Sequence, residues 1–175
     1  MIALVGFMGA GKTSVGQALA KRLKWEFLDL DRLIEERESR SIEKIFAESG
    51  EQAFRALECR LLGECLDGLR AAPIVLALGG GAFAQPEVRR VLREARVQSV
   101  FLDAGAGELF QRSQQAEVIR PLRRDLRQFE ELYERRRQSY SEADLRIDTS
   151  SKEISLVVEE IISALVLVPS SGVNG

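Results

Sequence analysis

Gly6-Phe-Met-Gly-Ala-Gly-Lys12-Thr13 stands between the apolar run Ile2-Ala-Leu-Val5 and the amphipathic run Val15, Leu19, Ala20, Leu23. Its spacing is G-x-x-x-x-G-K-[ST] without a mismatch, and the flanks supply the strand before and the helix after that the motif needs. Glycines let the backbone curl around an anion, so that N–H groups and the helix N-terminus point at phosphate oxygens. Gly9, Ala10, Gly11, Lys12, Thr13 and Ser14 are therefore expected to cradle the phosphates of ATP or GTP. Lys12 would lie along the β and γ oxygens, and the Thr13 hydroxyl would ligate Mg²⁺. An ordinary glycine turn is the bland alternative, and the order of strand, loop and helix argues against it.

Outward from this loop, short β-rich runs recur between longer helical patterns: Ile2 to Gly6, Trp25 to Leu30, Ile74 to Leu78, Val97 to Leu102, and weakly Leu145 to Ile147. The cleanest helical stripe is Ile154, Val157, Val158, Ile161, Ile162 and Leu165. Such alternation predicts a three-layer α/β fold, a five-stranded parallel sheet covered on both faces, with ligands at the carboxyl ends of the strands. The length, 175 residues, allows one such domain, taken as 1–167, with the acceptor side in 31–65 and a disordered tail over 168–175. The arginine-dense stretch of about 111–127, with Pro121 inside it, is the candidate mobile lid; a solvated charged connection would look the same.

Composition narrows the chemistry. With no histidine in the chain, imidazole bases, Ser-His nucleophiles and His-ligated zinc are all absent. Cys59 and Cys65 lie on different turns of a helical stretch, too distant to pair, and point to a reducing compartment. A net charge of −2 and few aromatics give nucleic acid little to hold. No stretch approaches membrane-spanning length, and the apolar opening lacks the basic flank of a signal sequence, so a soluble cytoplasmic protein without membrane partners is expected. The only asparagine is Asn174, so no Asn-Lys-x-Asp guanine-reading motif exists, and no Ser-Gly-Gly motor signature is present. A small-molecule kinase remains ahead of a switch or a motor.

The acceptor side is written in four places. Asp29 and Asp31 end the second strand, and period-2 alternation would set both carboxylates beside the loop. Asp29 is assigned to the Mg²⁺ shell and Asp31 to the acceptor hydroxyl and its proton, with capping of the next helix as the competing use. Gly79-Gly80-Gly81 follows a strand and permits close backbone approach, although a plain flexible loop has the same composition. Leu126, Phe129, Tyr133, Arg136 and Tyr140 form a helical seam in which Arg136 must face inward; a substrate carboxylate or an internal acid would each satisfy it. On the wheel of Phe54, Leu57, Leu61, Leu62 and Cys65, Glu58 falls in the apolar arc, where it could hold Arg55 at its edge; a solvated pair is the alternative.

In order and spacing these segments resemble the shikimate kinase family across nearly the whole chain. The phosphate loop, Phe27-Leu-Asp29-Leu-Asp31, Ser41-Ile-Glu-Lys-Ile-Phe46, Gly50-Glu-Gln-Ala-Phe-Arg55-Ala-Leu-Glu58, Leu78-Gly-Gly-Gly-Ala82 and Arg120-Pro-Leu122 carry the likeness. The resemblance implies an adenylate-kinase-like P-loop NTPase fold and ATP-dependent phosphorylation of the shikimate 3-hydroxyl. It implies that Asp31, Arg55, Gly79, Gly80, Gly81 and Arg136 bind shikimate, the two arginines on its carboxylate. Lys12, Thr13 and Asp29 would serve ATP and Mg²⁺, Arg120 would reach the transferring phosphoryl group from the lid, and Arg112 would pack on adenine. Arg123-Arg124 and Leu78 depart from the family pattern, in the lid and before the glycines. A gluconate-type small-polyol kinase and a non-catalytic ATP-binding regulator are the alternatives, and a monomer is expected.

Overall fold

The computed structural model describes residues 1–68, 73–114 and 125–167. Five strands, β1 (Ile2–Val5), β2 (Glu26–Asp29), β3 (Ile74–Ala77), β4 (Gln98–Asp103) and β5 (Leu145–Asp148), alternate with seven helices among the described residues. The helices are α1 (Lys12–Leu23), α2 (Leu30–Glu38), α3 (Ile42–Gly68), α4 (Pro86–Glu94), α5 (Ala106–Gln114), α6 (Leu126–Tyr140) and α7 (Ile154–Leu165). All pairings are parallel, in the order β2-β3-β1-β4-β5. The strand that feeds the phosphate loop is thus central, and every β1 residue is buried. Since alternate residues of a strand face opposite ways, burial of both sets means helices cover both faces.

One core cluster joins β1, β3 and β4 to α1, α6 and α7. Close approach of α1 to the sheet depends on Gly16, where a Cβ would run into the Phe27 ring and come within 3.3 Å of Leu4 Cδ1. From the α7 stripe, Val157, Val158 and Ile161 are buried as expected. Ile154 is instead 43% exposed, because the first residue of α7 opens onto the cavity at the strand ends rather than onto the sheet. Leu126 departs from its seam in the same way, 43% exposed at the start of α6, while Phe129, Tyr133 and Tyr140 are buried.

The second strand is shorter than its apolar run. It ends at Asp29, whose carboxylate accepts from Asp31 N at 3.1 Å and turns the chain into α2. α3 is broken at Gly50, with φ 78° and ψ 170°, before the segment that carries Arg55 and Glu58. Both cysteines are free on α3. Of the stretch expected as a lid, residues 111–114 complete α5 and 125–127 open α6, where Asp125 caps the first turn; the middle lies outside the described residues, as do Arg120 and the tail 168–175. Among the described residues no helix is long and apolar enough to cross a membrane.

Candidate active site

The carboxyl ends of β1, β2 and β3 open into a cavity of about 760 Å³, lined by Gly9 to Ser14, Asp29, Asp31, Gly80 and Arg112 among others. The phosphate loop forms its floor. Gly9 and Gly11 both hold φ 82°, left-handed backbone that suits glycine, and α1 starts directly after Gly11. Lys12 Nζ is folded back over the loop and donates to Gly6 O at 2.9 Å and Phe7 O at 3.0 Å. At the far end, Ile154 and Val157 offer apolar surface beside Arg112, Thr149 and Lys152, a setting suited to a flat base. The Arg112 guanidinium is held there by Glu108 at 2.6 Å and the Thr149 carbonyl at 2.8 Å.

Thr13 and Asp29 meet as expected, the threonine hydroxyl donating to Asp29 Oδ2 at 2.9 Å. Asp29 performs two tasks at once, since its other oxygen caps α2. A hydroxyl that ligates a cation must turn its proton to an acceptor, and the Thr13 hydroxyl already turns its proton to Asp29. Two hard oxygen groups beside a phosphate loop fit Mg²⁺, which keeps water and phosphate ligands rather than an all-protein cage. Among the described residues no cluster of three acidic or thiol ligands exists. Asp31 reaches the cavity from the first turn of α2, not from the strand as alternation implied, because the Asp29 cap has already started the helix.

The glycine loop forms a wall that borders this cavity at Gly80 and meets Arg55 at Gly81 and Arg136 at the Gly80 carbonyl. A Cβ on Gly79 would overlap the Asp31 carboxylate and stand 3.0 Å from Glu58 Oε1, and one on Gly81 would overlap the Arg55 guanidinium. These glycines let two acids and an arginine press against bare backbone, which neither a flexible loop nor a substituted one would allow. Arg55 Nη1 donates to Glu58 Oε2 at 2.8 Å, and its guanidinium lies against the Phe46 and Phe54 rings, 5.7 and 5.1 Å from their centroids, which are themselves 4.5 Å apart. Burial first, and the Asp31 charge after the opposing pull of Arg55, raises the Glu58 pKa; its Oε1 has no hydrogen-bond partner among the described residues.

Arg136 faces inward, as the seam required. Its Nη1 donates to Gly80 O at 3.0 Å and its charge sits over the Phe7 ring at 5.8 Å, yet no carboxylate of the described residues forms an ion pair with it. Burial, and the like charge of Arg55 among lesser causes, pulls its pKa below the ordinary value. Two guanidiniums therefore converge on one glycine loop, and among the described residues no internal acid forms an ion pair with Arg136.

Three participants were not singled out from the sequence. Gln85 Nε2 donates to Glu58 Oε2 at 2.7 Å, a contact from a distant segment that no local pattern announces. Phe7, a variable position of the motif, packs edge-on against Phe129 and Tyr133 at 4.9 and 5.6 Å between centroids, tying the phosphate loop to α6. Tyr140 gives its hydroxyl to Gly80 O. Its place in the seam with Arg136 was the available signal, because a buried tyrosine hydroxyl needs a partner.

Comparison with known proteins agrees with this geometry. The family model for shikimate kinase matches residues 8–166. A shikimate kinase of Geobacter metallireducens is 44% identical over 94% of this chain and 90% of its own, and one of Persephonella marina is 36% identical over 94% and 98%. The solved shikimate kinase from Acinetobacter baumannii in complex with shikimate superposes with a TM-score of 0.85 at 34% identity, covering 94% of this chain and 92% of that one. A gluconokinase from Sinorhizobium meliloti shares the fold at a TM-score of 0.63 and 20% identity. A match of this span, on a chain whose phosphate loop, paired aspartates and glycine wall meet at one cavity, means that the chain belongs to the shikimate kinase family.

Proposed function

We propose that this chain transfers the γ-phosphoryl group of ATP to the 3-hydroxyl of shikimate, with Arg55 and Arg136 holding the acceptor carboxylate and Asp31 facing its hydroxyl. The observation that carries the reading is Arg136, an inward cation with no acid partner among the described residues, placed beside Arg55 on the glycine wall next to Asp31. A bound carboxylate would bridge the two guanidiniums, supplying the charge partner that Arg136 lacks among the described residues and offsetting its repulsion from Arg55.

The backbone of Gly9 to Ser14 holds the polyphosphate, and Lys12 swings from its loop carbonyls to the β and γ oxygens. Thr13 and Asp29 would hold Mg²⁺, which supplies charge neutralisation on the transferring phosphates when bound. Asp31 accepts the proton of the acceptor hydroxyl as its oxygen forms the new bond to the γ phosphorus; the bond to the β–γ bridging oxygen breaks and ADP leaves. Gly79, Gly80 and Gly81 present backbone to the acceptor. Arg120, outside the described residues, is assigned to the phosphoryl group from the lid, where it would offset developing charge, and Arg112 to the base side. We place the protein in the cytoplasm as a monomer, with its catalytic unit in 1–167.

ADP release at saturating Mg-ATP with shikimate, with gluconate and with no acceptor tests the reading, with Lys12→Ala as the blank. Shikimate-dependent turnover lost in Lys12→Ala is the expected result. Turnover with gluconate alone would overturn the substrate, and nucleotide binding without acceptor-dependent release would make the chain a regulator.

A further inference from the structure

The Gly80 carbonyl oxygen is shared by two side chains of α6. Arg136 Nη1 donates to it at 3.0 Å, and the Tyr140 hydroxyl donates to it from one turn later. The two donors differ in freedom. The Tyr140 ring is wholly buried and packs at a tilt of 32° on Phe101 with centroids 5.1 Å apart, which fixes its hydroxyl beside the Gly80 carbonyl. Arg136 is half-buried and has a long stem, so its guanidinium can turn. A carbonyl oxygen has two lone pairs and accommodates both donors in the empty site.

Binding an acceptor carboxylate asks Arg136 to reorient. If Arg136 were the only donor, that turn would strand the oxygen of a buried glycine, and the cost of the unmet carbonyl would be subtracted from acceptor affinity. With Tyr140 present the oxygen keeps a partner throughout. We propose that Tyr140 is a positioning residue for the acceptor: its hydroxyl holds the Gly80 carbonyl so that Arg136 is released to the substrate carboxylate. The inference rests on the assignment of Arg136 to the acceptor.

Tyr140→Phe removes only the hydroxyl and leaves the ring on Phe101, so a purely packing role predicts no kinetic change. The full chain would be measured as wild type, Tyr140→Phe, Arg136→Ala and the double variant, reading the KM for shikimate, the KM for ATP and kcat. KM, unlike apparent kcat, does not depend on the folded fraction, so a destabilised variant stays informative. The expected result is a rise of about tenfold in the shikimate KM of Tyr140→Phe with the ATP KM unmoved, and no further rise when it is added to Arg136→Ala. A wild-type shikimate KM in Tyr140→Phe, with a raised one in Arg136→Ala, would overturn this inference and leave the Arg136 assignment standing. An equal rise on the Arg136→Ala background would overturn it too, because the hydroxyl would then act without the arginine. An unchanged shikimate KM in Arg136→Ala would remove the assignment itself.

Discussion

Arg55 and Glu58 meet one turn apart on α3, Nη1 to Oε2 at 2.8 Å, with the acid wholly buried and the arginine at the edge of the site. The pair aims a cation at the glycine wall, and Gln85 braces the acid from outside the helix. Glu58→Gln keeps the volume and ends the charge attraction. The shikimate KM should rise about tenfold and the ATP KM should not move. An unmoved shikimate KM would show that the Phe46 and Phe54 rings alone aim Arg55.

The same variant has a pH signature. Burial raises the Glu58 pKa above its unfolded value. Stability from such a carboxyl is fully present below the unfolded value, about 4.3, and is lost as pH rises through the higher folded one. The Tm of wild type relative to Glu58→Gln should fall on raising the pH from about 4, then level off once the folded group has ionised. A difference that grows with pH would mean that Arg55 outweighs burial.

Thr13 donates to Asp29 in the structure. Thr13→Val preserves shape without the hydroxyl, and should lower kcat/KM by about a hundredfold while raising the Mg²⁺ concentration needed for half-maximal rate. Initial rates across a Mg²⁺ titration decide it; an unchanged midpoint would take Thr13 out of the metal shell.

Gly79 has no space for a methyl group because the Asp31 carboxylate occupies it. Gly79→Ala should displace Asp31 and cost about a hundredfold in kcat, the scale of a small misplacement of a reacting group. Nucleotide binding, measured by calorimetry with a non-hydrolysable analogue, should be kept. A wild-type kcat would mean that Asp31 does not need that wall.

Tyr133 and Tyr140 are the two tyrosines of the chain, and both are buried. Burial, then the hydrogen bond and charge of Asp103, pushes the Tyr133 pKa up to about 12, and burial likewise raises that of Tyr140. Stability from these groups is present below the ordinary value near 10 and is lost as pH climbs through the raised ones. Native protein should therefore show no phenolate absorbance near pH ~10, where the denatured chain titrates. A native tyrosine titrating there would contradict the burial of its hydroxyl.

Local pattern determined the fold class, the phosphate loop and the inward direction of Arg136. Each rests on short-range regularities: the glycine spacing that frees the Gly6 to Thr13 backbone, the alternation of β-rich and helical runs, and the repeat that aligns Phe129, Tyr133, Arg136 and Tyr140. The resemblance to a family then carried the substrate. Tertiary structure decided what those side chains meet. Asp31 belongs to a helix because Asp29 caps it, Gly79 and Gly81 are bare because Asp31, Glu58 and Arg55 press on them, and Gly80 takes two donors from α6. These contacts join residues far apart in the chain, from Glu58 to Gln85 and from Gly80 to Tyr140. Periodicity reports which face a side chain takes, whereas its partner depends on how separate elements pack, and that is settled only when the sheet brings their ends together.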